Sequence, residues 1–83
     1  MKDYLTFLLT QIVSKPEEIE ITEELQEELY LYHIKVSQED MGKVIGKAGK
    51  TINALRELAK VKAIKDNIRV RIELVDQNPN ANI

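Results

Sequence analysis

Apolar residues recur at helical spacing over residues 3–14, where Tyr4, Leu5, Leu8, Leu9, Ile12 and Val13 form one stripe with Phe7 at its edge. The spacing predicts an opening helix. Ser14-Lys15-Pro16 ends it, because proline restricts the residue before it and donates no hydrogen bond. In EEIEIT, Ile19 and Ile21 alternate with acids, which predicts a short strand. The acidic TEELQEE then makes either a turn or the extended end of a hairpin. Residues 29–36 (LYLYHIKV) are rich in β-formers and put Tyr30, Tyr32, Ile34 and Val36 on one face.

Ser37 is placed to cap a short helix running to about Ile45, with Asp40 three residues on as the reciprocal partner of a capping box. Gly46 stops that helix. After Gly49 a second helix carries Ile52, Leu55, Leu58 and Ala59 on one face and continues into the sixties. Asp66-Asn67 turns the chain. A last strand alternates Ile68, Val70, Ile72 and Leu74 with Arg69, Arg71 and Glu73. DQNPNANI, polar and containing a proline, is expected to be a flexible tail at 76–83. The predicted order is helix, strand, strand, helix, helix, strand. This is an α+β chain of 83 residues forming a single domain over residues 1–75.

Composition narrows the function classes. The chain has no cysteine, which removes disulfides, thiolate metal sites and a cysteine nucleophile. No stretch approaches the ~20 apolar residues of a membrane span, and Asp3, Thr6, Thr10 and Gln11 interrupt any signal-like run. A cytoplasmic location is expected. The net charge of −2 conceals a division along the chain. Residues 1–40 hold three lysines against ten carboxylates, whereas residues 41–75 hold nine basic side chains against three acids. Such asymmetry points to an anionic partner for the second half.

The basic half contains GKVIGKAGKT (42–51), with three lysines and all three glycines of the chain. A P-loop would need a glycine where Val44 stands, and the glycine spacings do not fit a dinucleotide-binding turn. Two readings remain. In the first, Gly46 stops one helix and Gly49 starts the next, with no further role. In the second, Gly46-Lys47-Ala48-Gly49 lets backbone N–H groups press against a phosphate chain at the start of a helix, with Lys47 as a mobile cation at the tip.

The stretch Val44 to Leu55, V-I-G-x-x-G-x-x-I-x-x-L, resembles the signature of the KH domain, an RNA-binding module whose GXXG loop clamps a four-nucleotide backbone stretch. The element order is similar to the type II arrangement, and the likeness spans residues 1–75. Size and the acidic first hairpin resemble small bacterial single-KH proteins of the KhpA type. The resemblance implies a type II KH fold, in which a three-stranded mixed sheet carries the helices on one face. It also implies single-stranded RNA as ligand, as an RNA chaperone or post-transcriptional regulator. A further implication is pairing, either as a homodimer or with a larger KH-containing protein of the KhpB/Jag type. Val61, Ala63 and Ile64 offer a surface for such pairing, unless they are buried within the monomer.

Carried onto this chain, the KH pattern makes Gly46, Lys47, Ala48 and Gly49 the backbone clamp. Val44, Ile45 and Ile52 shape the groove floor while also serving the core. Lys43 and Lys50 add long-range attraction; Arg56 is spaced either to reach a phosphate or sugar or to stand as an exposed helix arginine near Glu57, and Lys60 and Lys62 read as solvated helix charges. The last strand forms the other groove wall and brings in Lys65, Arg69 and Arg71, although alternation aims both arginines away from the helices. The single basic residue inside the loop departs from the two found in many KH loops. It keeps open a rival reading, a KH-fold module for protein assembly with little RNA binding; single-stranded DNA is a third possibility. Tyr30 and Tyr32 share a face with Ile34 and Val36 and are expected to pack rather than stack on bases. His33 alone makes a poor metal site, and the many glutamates form a solvated acidic surface with no catalytic pair. Neither enzyme activity nor a cofactor is expected.

Overall fold

In a computed structural model, residues 1–75 are described; the tail expected at 76–83 lies outside them. The elements are α1 (Lys2–Thr10), β1 (Glu20–Gln26), β2 (Leu29–Lys35), α2 (Met41–Ile45), α3 (Lys50–Lys65) and β3 (Arg69–Leu74). Single 3₁₀ turns stand at Pro16–Glu18, Gln38–Asp40 and Lys47–Gly49. The three strands form one sheet in the order β1-β2-β3. β1 pairs with β2 antiparallel, and β2 pairs with β3 parallel. Parallel neighbours need a crossover connection, and α2 and α3 supply it. This mixed sheet with helices against one face is consistent with the type II KH fold that the resemblance implied.

The acidic TEELQEE is the extended end of a hairpin. β1 runs through it to Gln26, and Gln26 faces Leu29 across a two-residue turn at Glu27-Glu28. Glu27 takes a left-handed φ of 58° there. Tyr32, Ile34 and Val36 are buried as the alternation predicted, and Ile21 and Ile72 complete the inner face of the sheet. Leu5 and Leu9 of α1, with Val44, Ile52, Leu55 and Ala59 of the later helices, close the core over them. Full burial of each large apolar side chain contributes about 1.5–3 kcal/mol. The Tyr32 hydroxyl donates to Glu23 Oε1 at 2.6 Å, and burial, together with that bond, pushes its pKa up.

Three local expectations need correction. The first helix ends at Thr10 rather than near residue 14. Ile12 and Val13 still reach back to Leu9 O (2.9 and 3.0 Å), but the N–H groups of Ser14 and Lys15 donate to the Asp40 carboxylate at 3.0 Å each. That competing acceptor draws the chain off the helix axis. Secondly, the helix expected from Ser37 starts as a 3₁₀ turn. Its cap is present, with Asp40 N donating to Ser37 Oγ at 3.2 Å, but the Asp40 side chain takes partners from the α1–β1 connection instead of closing a capping box. Thirdly, Leu58 is 43% exposed, because the buried stripe of α3 is Ile52, Leu55, Ala59 and Ala63.

Candidate nucleic-acid interface

The loop at 46–49 projects between α2 and α3 with a backbone that few residues tolerate. Gly46 stands at φ 77°, ψ 170°, a region open essentially to glycine alone. A Cβ there would overlap Thr51 Oγ1 and lie 2.7 Å from Thr51 Cβ and 2.8 Å from its backbone N. Ala48 (φ 57°, ψ 27°) and Gly49 (φ 74°, ψ 13°) are both left-handed. Gly46 N closes α2 on Gly42 O at 2.8 Å, and Gly49 N closes the loop on Gly46 O at 3.1 Å. The N–H groups of Lys47 and Ala48, both exposed, meet no acceptor among the described residues. Two free donors beside a helix N-terminus are suited to an anionic oxygen.

Charge around the loop reinforces this. Lys47 and Lys50 make no ion pair among the described residues, nor does Lys60 farther along α3 beside the β3 wall, whereas Lys15, Lys35 and Lys62 are each matched to a carboxylate. Lys43 is half engaged: its ammonium donates to Ser14 Oγ and lies 3.7 Å from Asp40 Oδ1. Asp40 itself is buried, with both oxygens occupied. Oδ1 accepts from Ser14 N–H, and Oδ2 accepts from Lys15 N–H and from Ser37 Oγ at 2.9 Å. These bonds, led by Ser14 N–H, hold its carboxyl below the usual carboxylate range against the opposing cost of burial. The latch ties the α1–β1 connection to the start of α2 and so sets where the loop points.

Beyond the loop, α3 and β3 enclose an open groove of about 670 Å³, lined on one wall by Arg56, Glu57 and Lys60 and on the other by residues 70–74. Val75 N donates to Ile34 O at 2.8 Å, so odd-numbered residues of β3 turn their backbone polar groups toward β2. By alternation Val70, Ile72 and Leu74 turn theirs outward to the groove. The Arg56 guanidinium spans it, with Nε donating to Ile72 O at 3.4 Å.

The remaining sequence-predicted residues divide. Val44 and Ile52 are core residues, at 0% and 6% exposure, whereas Ile45 is 39% exposed beside the loop. Arg69 and Arg71 project from the sheet face opposite the helices, aligned with Leu29 and Leu31, and Arg71 pairs with Glu73 at 3.3 Å. They are not gathered with the loop lysines. His33 shares that outer face between Glu24 (3.8 Å) and Glu73 (3.7 Å). Three residues escaped the sequence reading: Thr51, which makes Gly46 obligatory; Asn53, whose amide flanks Gly49; and Ser14, the partner of Lys43. Only proximity in three dimensions identifies them.

The chain matches the family model described as the KhpA/KhpB KH domain over residues 2–74. A protein of Clostridium perfringens named RNA-binding protein KhpA is 43% identical over 75 residues, covering 90% of this chain and 100% of that protein. A protein of the same name from Chlamydia trachomatis is 36% identical over 77 residues, covering 93% and 99%. One from Listeria monocytogenes is 33% identical over 76 residues, covering 92% and 100%. With its signature loop, its strand order and a likeness that runs almost from end to end, the chain belongs to the KhpA/KhpB family of KH domains.

Proposed function

We propose that this protein binds single-stranded RNA through the 46–49 loop and acts in the cytoplasm as an RNA chaperone or post-transcriptional regulator. The observation that carries the reading is the pairing of two free backbone donors, on Lys47 and Ala48, with lysines at 47 and 50 that make no ion pair among the described residues. RNA binding is also what the names of its relatives record. The family is one of binding modules, not enzymes. The phosphate chain lies over the loop, and bases enter the groove between α3 and β3. Lys43, Lys50 and Arg56 strengthen attraction along the path; Arg69 and Arg71 act only on RNA that wraps beyond the β3 edge.

With roughly 3–4 phosphate contacts, the logarithm of affinity falls with the logarithm of salt at a slope of about −2 to −3. Fluorescence anisotropy with short single-stranded RNAs across a salt series tests this, comparing the native protein with a Lys47→Asp, Ala48→Asp variant whose fold is checked by circular dichroism. Binding that survives in the folded variant removes the loop from the mechanism. DNA oligonucleotides of the same sequence show whether the 2′-OH matters.

A second reading is favoured by a separate observation. Leu58, Val61 and Ile64 stand 43%, 64% and 69% exposed along α3, while Ala63, grouped with two of them on sequence, is buried. This ridge suits pairing with a second copy or with a larger KH-containing protein of the KhpB/Jag type. Pairing brings two weak loops onto one RNA and raises their effective concentration. If neither the native protein nor the variant binds RNA, the ridge becomes the main functional surface and the domain an assembly module.

A further inference from the structure

Among the described residues, the groove wall formed by β3 is an open strand edge, and such an edge addresses a base through its outward N–H and C=O groups. Each outward residue offers one donor and one acceptor side by side. Adenine presents a matching neighbour pair, the N7 acceptor beside the N6 amino donor, whereas guanine presents two neighbouring acceptors, N7 and O6. Against these Hoogsteen edges a bare strand edge suits adenine. At the middle of this groove the edge is not bare, because the Ile72 carbonyl already accepts from Arg56 Nε at 3.4 Å.

Arg56 changes the pattern without closing the groove. With one of the two lone pairs of Ile72 O engaged by Arg56, a base arriving there meets the Ile72 N–H and, beside that carbonyl, the remaining N–H groups of the guanidinium. Both are donors, and guanidinium has no acceptor to offer. Arg56 is exposed and makes no ion pair among the described residues, so no carboxylate among them competes for those donors. We propose that Arg56 is a base-selecting residue that shifts the β3 edge from a donor–acceptor toward a donor-rich surface and so favours guanine over adenine in the groove. The inference rests on the RNA-binding reading above.

The test measures a ratio, not an affinity. Short uridine-rich RNAs of equal length, differing only in guanosine or adenosine at the same positions, carry the same phosphate charge, so general electrostatic losses cancel between them. Anisotropy is read for the native protein, for Arg56→Met, which uncovers the carbonyl, and for Arg56→Lys, which keeps the charge but loses the planar fork. The native protein is expected to prefer the guanosine RNA by about fivefold or more, in line with the discrimination of a bidentate contact. Arg56→Met should abolish or reverse that preference, and Arg56→Lys should weaken the preference more than the affinity. Binding of both RNAs with a ratio unchanged by Arg56→Met overturns the base-selecting role and leaves loop binding intact. Absence of binding to every RNA, with the native fold confirmed by circular dichroism, overturns the RNA reading and the inference with it.

Discussion

Replacing Gly46 by alanine is the sharpest test of the loop geometry. At φ 77°, ψ 170° a residue with a Cβ incurs a backbone cost of about 1–3 kcal/mol. The new Cβ would also sit 2.7 Å from Thr51 Cβ and 2.8 Å from Thr51 N, so part of the clash is with backbone at the start of α3. Overpacking of this kind adds about 1–3 kcal/mol. The sum, about 2–6 kcal/mol, is a large share of the roughly 4–12 kcal/mol that holds a domain this size together. Gly49→Ala is the control. Its φ of 74° is equally left-handed, but the nearest atom to a new Cβ is Asn53 Nδ2 at 3.7 Å, an ordinary contact. That variant should lose only about 1–2 kcal/mol. Gly42→Ala completes the series: a Cβ there meets open space inside α2, so helix propensity should make it neutral or stabilising by up to about 1 kcal/mol. Urea unfolding followed by circular dichroism orders the three variants through their midpoints. Equal losses at Gly46 and Gly49, or a reversed order, would refute the claim that Thr51 enforces glycine at position 46.

Other outcomes follow from the same structure. Asp40→Asn leaves one carboxamide oxygen where two carboxylate oxygens now accept bonds, so its urea midpoint should fall. Because the folded-state pKa of Asp40 is lowered, its contribution is present above the ordinary unfolded value of 3.8 and is lost as pH falls through the lower folded value. The Asn variant should therefore show a flatter acid limb in a pH series of unfolding midpoints; an unchanged acid limb would remove Asp40 as a source of acid sensitivity. Val61→Glu with Ile64→Glu alters only exposed positions. It should leave the monomer folded and shift sedimentation toward the monomer, whereas an unchanged sedimentation profile would place any pairing elsewhere.

Legibility in the sequence followed the range of the interactions. Strict alternation in β3 and the β-formers of β2 read correctly because period-two patterning is set by which face each residue turns to the core. The loop was legible because glycines at 46 and 49, flanked by apolar residues, mark two helices with a left-handed break between them. Arg69 and Arg71 were ordered by the same alternation, which already aimed them away from the helices. Where longer contacts decided the outcome, local pattern failed. Asp40 resembled a capping-box residue at 37–40, yet its carboxylate serves Ser14 and Lys15, 26 and 25 residues back in the chain, and shortens α1 in doing so. Leu58 fitted the buried stripe of α3 by type, but helix phase leaves it beside Val61 and Ile64 on the outside.

The sequence by itself determined the element order, the inward faces of the last two strands, the separation of acidic and basic halves, and the identity of the loop. Those properties depend on neighbours one to four residues away, whose spacing is visible in a one-dimensional chain. Tertiary structure alone decided that Thr51 makes Gly46 obligatory, that Arg56 reaches the Ile72 carbonyl, that Lys43 is tied to Ser14, and that Ala63 is buried while Ile64 is not. Apart from the local Gly46–Thr51 contact, these turn on which surfaces meet when α2 and α3 cross back over the sheet. The meeting is set by burial of the whole core, which no short stretch of sequence encodes.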